Sequence, residues 1–334
     1  MTKKKVTISK IAEDAGVSKM TVSRAINNPE KLKRSTLLRI LNSMKKHGYK
    51  PRFIARVMAG SRSKTFGLIV KSNKDFFIPP FYGECVRGAS EWFKSQDYRT
   101  VLFNMSDEQS RSLFLDYVNS GLIDGLILFE GSHDKSLLKT FKEYDIDVVL
   151  VGEDVENETD LYSVFSDNYE GARTAVEYLI KKGSTSIFHI TGQGGKSSYS
   201  ERLRAYNETL RNNGLETAVI KTENSFDGGM KAVDRILDSG KKFDALFCFS
   251  DLMAIGAIRR LLEKGYKVPF DVRVIGYDNI TLSDFLFPSL TSISQNMKMM
   301  GELAAKTLFQ IISGVEPSNK KIKVPTQLVI KESA

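Results

Sequence analysis

The chain has 334 residues, a net charge of +9, three histidines and two cysteines. It contains no run of 18 apolar residues and no apolar N-terminal segment before a cleavage site, so the sequence predicts neither a membrane span nor secretion. The positive charge is concentrated at the start. The first 64 residues hold 17 Lys and Arg against three Asp and Glu, which leaves residues 65–334 with a net charge of −5. A basic segment before an acidic body is typical of a nucleic-acid-binding domain.

The two cysteines, Cys85 and Cys248, are far apart and lie in apolar surroundings. We therefore expect free thiols and a cytoplasmic protein rather than a disulfide.

The segment from Val6 to Asn28 has the pattern of two short amphipathic helices joined by a tight turn. Apolar residues of the first helix share one face: Ile8, Ile11, Ala12 and Ala15. Gly16 permits a left-handed turn, and Ser18 is placed to cap the second helix. That helix has one apolar face, formed by Val22, Ala25 and Ile26. The pattern predicts a helix-turn-helix, whose second helix enters the DNA major groove.

A third helix is predicted to follow, with Ser35 as its N-cap and Gly48 after its end. Its predicted buried side consists of Leu37, Leu38, Ile40, Leu41 and Met44. The next segment, KPRFIARVMAGSRSKT, can form one short helix opened by Pro51 and ended by Gly60. Such a helix is marginal alone, so we expect it to order on DNA, pair with a second copy and insert an apolar side chain into the minor groove. Without DNA, a flexible basic linker is expected.

Beyond residue 64, short apolar runs alternate with helical segments. Strands are predicted over Phe66–Val70, Thr100–Phe103, Gly125–Phe129, Asp147–Val151, Ser186–Ile190, Ala218–Lys221, Ala245–Phe249 and Val272–Ile275. Two such series predict two doubly wound α/β lobes with a cleft between them. Ligands of this architecture bind at the carboxyl ends of the strands.

The sequence contains no motif that argues for catalysis, a metal or a cofactor. The loop TGQGGKSS resembles a phosphate-binding loop, but Ile190 stands where a Walker motif needs its first glycine, and Ser197 breaks the dinucleotide fingerprint. None of the three histidines has metal-ligand spacing to another His or to a Cys. We therefore predict no catalytic residue, no metal site and no cofactor.

Taken together, the motifs resemble the LacI/GalR family of bacterial transcription regulators. The similarity covers VTISKIAEDAGVSKMTVSRAIN in the head, GYKPRFIARVMAG in the hinge, DALFCFSDLMAIGAI and VRVIGYDN in the body, and LTSISQNMKMMGELAAKTL and PTQLVIKESA at the end. It implies an α/β fold: a three-helix helix-turn-helix head, a hinge helix, and two doubly wound lobes like those of periplasmic sugar-binding proteins. The implied domains are 1–50, 51–64 and 65–334. Lobe 1 covers about 65–165 and 295–324, and lobe 2 covers about 166–294 and 325–334.

The resemblance also implies which residues contact DNA. Lys19, Met20 and Arg24 occupy base-reading positions of the second helix, where lysine can donate to guanine and methionine can contact a thymine methyl group. Other head residues match positions that hold the DNA backbone: Thr7, Ser18, Thr21, Ser23, Asn27, Lys31 and Tyr49. Helix capping is the alternative role for the serines and threonines.

In the hinge, the implied DNA contacts are Ala55 and Met58. Met58 stands where family members usually carry a leucine that wedges between base pairs. A flexible methionine can still insert between bases.

For the body, the resemblance implies an effector site at Arg202 and Asp278, a donor fork and a carboxylate suited to neighbouring sugar hydroxyls. Phe81 and Tyr82 align with aromatic positions that line the cleft, although core packing is an alternative. Ser250 is assigned to the same site, whereas the neighbouring Asp251 is expected to cap a helix. In RLRAY, Ala205 replaces the glycine usual in the family.

These features predict a sequence-specific repressor whose affinity for a pseudo-palindromic double-stranded operator is controlled by a small-molecule effector. We expect a sugar, and a nucleobase or another metabolite would also fit; induction and corepression both remain open. We expect a homodimer, because two heads reading a palindrome need two-fold symmetry and the chain ends without a heptad helix. The alternatives are a transport-type binding protein and, more remotely, a sugar-metabolising enzyme.

Overall fold

The computed structural model describes residues 6–27, 29–49, 62–70, 80–105, 107–129, 135–153, 161–193 and 197–334. The chain divides into two compact units, Met1–Thr65 with Leu113–Asp124, and Phe66–Ser112 with Gly125–Ala334. The predicted hinge helix, with Ala55 and Met58, lies outside the described residues. The domain boundaries at residues 50 and 64 therefore stay predictions.

The head contains three helices, α1 (Ile8–Ala15), α2 (Lys19–Asn27) and α3 (Arg34–His47), with a short 3-10 helix at Pro29–Lys31. Both predicted stops are confirmed, because Gly16 and Gly48 adopt the left-handed conformation with φ of 62° and 60°. The helices enclose a small apolar core of Ile11, Ala12, Ala15, Val22, Ala25, Ile40 and Met44. This core holds α1 and α2 in the predicted helix-turn-helix.

Two predictions for α3 are wrong. Leu38 and Leu41 are 52% and 47% exposed, so the buried side of the helix is narrower than the apolar pattern suggested. A three-helix head is too small to cover a wide apolar stripe. Ser35 is not the N-cap, because the helix begins one residue before it and Lys33 occupies the capping position without a side-chain hydrogen bond.

Lobe 1 is built on a six-stranded sheet with helices between its strands. In chain order the elements are β1 (Thr65–Val70), α4 (Pro80–Ser95), β2 (Arg99–Asn104), α5 (Glu108–Asn119), β3 (Gly125–Phe129), α6 (Lys135–Glu143), β4 (Val148–Val151) and β5 (Tyr162–Ser166). The sheet order is β11-β5-β4-β3-β1-β2, in which β11 (Lys321–Val324) comes from near the end of the chain. The pairs β1–β3, β3–β4, β4–β5 and β5–β11 are parallel.

Lobe 2 repeats this arrangement. Its elements are α7 (Asn168–Lys181), β6 (Ile187–Thr191), α8 (Ser197–Asn212), β7 (Ala218–Lys221), α9 (Phe226–Asp238), β8 (Ala245–Cys248), α10 (Asp251–Glu263), β9 (Arg273–Asp278), a 3-10 helix at Thr281–Phe285 and β10 (Thr291–Ser294). The chain then returns to lobe 1 with α11 (Met297–Ile312) and β11 (Lys321–Val324), and ends in lobe 2 with β12 (Gln327–Val329). The sheet order is β12-β10-β9-β8-β6-β7, with β12 antiparallel to β10.

All eight predicted strands are present, with ends that differ by no more than three residues, and the apolar residues of all of them except β2 and β7 are buried. The sequence analysis missed β5, β10, β11 and β12. Both cysteines are buried free thiols, as predicted. No helix in the described part of the chain is long and apolar enough to span a membrane.

Two glycines allow α4 and α11 to cross in close contact. A Cβ atom on Gly301 would overlap the backbone carbonyl of Cys85, and one on Gly88 would overlap that of Lys298. Because both obstacles are backbone atoms, neither can move aside as a side chain could. Glycine is therefore required at both positions.

We expect Gly301→Ala to destabilise the body by about 1–3 kcal/mol, because the added methyl group must push the two helices apart. Thermal unfolding followed by circular dichroism measures the loss. Gly83→Ala is the matched control, since a Cβ atom there meets nothing within 4 Å and alanine favours the same helix α4. Equal unfolding temperatures for the two variants would contradict the close-crossing explanation.

Candidate functional site

The exposed side of α2 carries the predicted base-reading residues. Lys19, Met20 and Arg24 are exposed, and Met20 is 72% accessible despite being apolar. Val22 and Ala25 on the opposite side are buried in the head core. A methionine left in water on a short helix, beside two cations, is suited to contact with a partner such as DNA.

The remaining head residues surround this helix. Ser18 caps α2, since its Oγ accepts from the backbone N–H of Thr21 at 3.1 Å and lies 2.9 Å from the Oγ1 of Thr21. Thr7 is exposed and precedes α1, where its carbonyl rather than its hydroxyl serves the helix. Lys31 is exposed, Ser23 is half-buried, and Tyr49 packs on the head core. The side chain of Asn27 lies outside what the structure describes.

A cavity of about 340 Å³ lies between the two lobes, and it is lined by five of the predicted effector-site residues: Phe81, Tyr82, Arg202, Ser250 and Asp278. It lies at the carboxyl ends of both sheets, because Glu153 follows β4 and Asp278 ends β9. The size and the mixture of aromatic and polar walls are those of a small-molecule site. The structure therefore brings together residues that are up to 197 positions apart in sequence.

Arg202, on the first turns of α8, is 3% exposed and held from several sides. Its Nε donates to Asn168 Oδ1 at 2.9 Å, and its Nη1 donates to the carbonyl of Phe249 at 2.6 Å. The guanidinium carbon lies 3.5 Å from the ring centre of Tyr277 and 4.3 Å from that of Phe249. Hydrogen bonds and cation–π contacts thus fix a planar cation in the cavity wall.

Asp278 is held in a strained conformation, with φ of 124°. Its carboxylate accepts from Gln295 Nε2 and from the backbone N–H of Asp251. Burial, together with the nearby charge of Asp251, raises the pKa of Asp278 to about 8, although Arg202 opposes the change. Strain held in place by surrounding contacts is typical of functional sites.

A network of side chains connects Arg202 to Asp278 across the lobe crossovers. Asn168 accepts from Arg202 and donates to the carbonyl of Ser166, whose hydroxyl donates to Gln295 Oε1. Gln295 in turn donates to Asp278. The relative position of the cation and the carboxylate is therefore sensitive to movement where the chain passes between lobes.

Aromatic rings form much of the remaining wall. The rings of Tyr199 and Phe249 stack with centres 4.0 Å apart, and those of Phe81 and Tyr82 meet edge to face at 5.1 Å. Phe81 and Tyr82 line the cavity and also pack against the core, and their role in effector binding stays a prediction.

The prediction that Asp251 caps α10 is wrong, and Ser250 has that role. Ser250 Oγ accepts from the N–H of Met253 at 3.3 Å and also donates to Asn224 Oδ1. Asp251 is fully buried; it accepts from the N–H of Ile280 at 2.8 Å and from the hydroxyl of Ser292. These contacts fix the loop after β9, and Ile280 of that loop lines the cavity.

Glu153 is the main cavity residue that the sequence analysis missed. It extends from lobe 1 and accepts from the N–H and Oγ of Ser197, at 3.1 and 2.8 Å, and from Ser198 Oγ at 3.2 Å. Burial raises its pKa. Its position directly after β4 is the signal that could have found it. Tyr199, Asn224, Phe249 and Gln295 were also left out of the predicted site.

Comparison with known proteins agrees with this architecture. The family model "Bacterial regulatory proteins, lacI family" matches residues 7–52, and "Periplasmic binding protein-like domain" matches residues 176–334. The probable HTH-type transcriptional repressor ExuR of Bacillus subtilis (strain 168) is 31% identical over 332 residues, which is 98% of each chain. The chain belongs to the lacI family of bacterial regulatory proteins.

Solved structures of lacI-family regulators extend the similarity to the whole fold. The structure titled "transcriptional regulator CelR-cellobiose complex" is 30% identical, with a TM-score of 0.75 over 99% of this chain and 100% of that one. The Lac repressor dimer bound to operator and the anti-inducer ONPF has a TM-score of 0.85 at 24% identity over 99% of each chain, a likeness of fold. The predicted family and α/β fold class are confirmed.

In this lacI-family body, we expect stability to fall as the pH rises towards 8. The carboxyl group of Asp278 has an ordinary pKa of 3.8 but retains its proton to about pH 8 when folded. The folded state therefore binds protons more tightly, and this contribution to stability is lost progressively between about pH 4 and pH 8, above which the loss levels off. Thermal melts of the protein between pH 6 and 9 should show the decline.

Asp278→Asn removes the ionisation while preserving the shape of the side chain, so its melting temperature should change less over this pH range. Asp238→Asn, at an exposed position at the end of α9, is the control and should follow the unaltered protein. A decline as steep in Asp278→Asn as in the unaltered protein would exclude Asp278 as its source.

Proposed function

We propose that this protein is an effector-controlled transcriptional repressor that binds operator DNA through α2 and a sugar through the interlobe cavity. The observation that carries the proposal is the meeting of Arg202 and Asp278 in one cavity lined by stacked aromatic rings. A fixed donor and a fixed acceptor suit neighbouring hydroxyl groups, and an aromatic face suits the C–H face of a sugar ring.

The relatives support this assignment. One relative is named a repressor, one similar structure contains cellobiose, and another is a dimer bound to operator. We propose the same kind of assembly here: a homodimer whose two heads read a pseudo-palindromic operator, with Ala55 and Met58 of the hinge at the minor groove. The proposed role of the protein requires no catalytic residue, metal or cofactor.

The mechanism follows from the position of the cavity. Lobe 1 contributes Phe81, Tyr82 and Glu153, and lobe 2 contributes Arg202 and Asp278. An effector that touches both lobes favours the lobe arrangement in which all these contacts form. A 100-fold change in operator affinity requires about 2.7 kcal/mol of coupling, which lies within the range of allosteric proteins.

A thermal-shift screen of sugars and other metabolites, followed by operator binding with each hit, tests the function. We expect at least one sugar to raise the unfolding temperature and to change operator affinity. If only a nucleobase or another metabolite stabilises the protein, the sugar assignment is wrong and the regulator assignment stands. Failure to prefer any duplex over random competitor, with or without metabolites, would leave the transport-type binding protein as the better description.

A further inference from the structure

The described side chains that line the cavity include more carboxyl groups than cationic groups. Among the described residues, two carboxyl groups, Glu153 and Asp278, face one cation, Arg202. A third carboxyl group, that of Asp251, is buried close enough to Asp278 to raise its pKa. The cavity therefore contains more potential negative charge than positive charge.

Arg202, the one cation among the described lining residues, is already engaged. Arg202 donates to Asn168 and to the carbonyl of Phe249, and its faces contact the rings of Tyr277 and Phe249. Its charge also opposes the rise in the pKa of both Asp278 and Glu153. A ligand carboxylate or phosphate would thus meet an arginine whose Nε and Nη1 already donate to the protein.

The behaviour of these carboxyl groups shows how the cavity responds to negative charge. Burial raises the pKa of Asp278 and of Glu153, which means that the surroundings disfavour the ionised form of both. The same loss of hydration would act on an anionic group of a ligand placed beside them.

We propose that the cavity selects an uncharged sugar and discriminates against sugars that carry a carboxylate or a phosphate. This inference rests on the proposed sugar-binding function and specifies the chemical class of its effector. Glu153, which the described contacts fix between the lobes, and Asp278 are the specificity-determining residues.

Isothermal titration of the full chain with matched sugars tests the inference. The panel consists of D-glucose, D-glucuronate and D-glucose 6-phosphate, then D-galactose and D-galacturonate, and finally cellobiose. We expect any neutral sugar that binds to have a dissociation constant at least about 30-fold lower than its anionic counterpart. An anionic sugar that binds as tightly as its neutral counterpart overturns the inference but leaves the sugar-binding function standing. Binding of no member overturns the sugar assignment and this inference with it.

Glu153→Gln provides the second measurement, because the amide oxygen can still accept from Ser197 and Ser198 after the charge is removed. The ratio of anionic to neutral affinity should rise at least about tenfold in this variant. Glu316→Gln removes a charge at an exposed position away from the cavity and should leave the ratio unchanged. An unchanged ratio in Glu153→Gln would show that this carboxyl group does not set the selectivity.

Discussion

Replacing Arg202 by methionine should raise the dissociation constant for the effector at least about 100-fold and leave operator binding insensitive to effector. A 100-fold change corresponds to about 2.7 kcal/mol. The expected loss is large because Arg202 is both the cation of the cavity and the fixed point of its wall.

Methionine retains much of the length of arginine but none of its donors. The Oδ1 of Asn168 and the carbonyl of Phe249 would each lose a donor in a region where Arg202 itself is 3% exposed. Leaving a buried acceptor unpaired costs about 1–3 kcal/mol. Asp278 would also lose the charge that opposes its raised pKa, so its protonated form would become more favourable.

Arg202→Lys distinguishes the geometry of the guanidinium from its charge. A lysine keeps the positive charge, but its ammonium group cannot lie flat on the rings of Tyr277 and Phe249 while donating to both Asn168 and Phe249. We therefore expect this variant to bind the effector almost as weakly as Arg202→Met. Near-normal binding by Arg202→Lys would mean that charge alone is sufficient.

Titration calorimetry with the effector found in the screen, and operator binding by fluorescence anisotropy with and without that effector, measure these changes. Arg211→Met is the control, because Arg211 is exposed at the end of the same helix α8. Circular dichroism melts establish that each variant is folded at the assay temperature. A normal response to effector in a folded Arg202→Met protein would remove Arg202 from the site.

Strands that form continuous apolar runs can be predicted from the sequence, whereas strands interrupted by polar residues and the crossovers between lobes cannot. Strands such as Gly125–Phe129 are buried on both faces and therefore appear as continuous apolar runs. The missed strand β5, Tyr162–Ser166, is also central, but it buries Ser163 and Ser166, which interrupt the apolar pattern. β11 and β12 are short edge strands whose polar residues remain partly exposed. With four and three residues, they are too short for their periodicity to distinguish them securely from loops.

Part of the site could also be predicted from the sequence. Arg202, Asp278, Phe81, Tyr82 and Ser250 were predictable because family motifs mark them, and the structure places them around one cavity.

The network through Asn168, Ser166 and Gln295 depends on two lobe crossovers that are 127 or more residues apart, and no local pattern records such a meeting. No local pattern indicates the contacts of Glu153 either, since its partners Ser197 and Ser198 belong to the other lobe. Side chains that connect lobes are therefore the part of the site that only the fold reveals.

Operator binding should depend steeply on salt. The first 64 residues contain 17 basic and three acidic residues, and Lys19, Arg24 and Lys31 are exposed on the described head. About eight phosphate contacts per dimer predict a slope near −7 for the logarithm of affinity against the logarithm of salt concentration. Affinity should then fall by a factor of about 10,000 between 50 and 200 mM salt. Fluorescence anisotropy across this range measures the slope, and a flat response would exclude a phosphate-dominated interface.

Substitution of two lysines, one at a time, distinguishes base contacts from phosphate contacts in the same assay. Lys19, on the first turn of α2, is the proposed base contact, so Lys19→Ala should cost about 1–3 kcal/mol on the operator and relax the preference at one position of each half-site. Lys31 lies after α2 on the 3-10 helix, so Lys31→Ala should weaken all duplexes alike and make the salt slope shallower by about one for each protomer. If Lys19→Ala weakens operator and random DNA by the same factor, Lys19 contacts phosphate, and the sequence specificity must come from Met20, Arg24 or the hinge.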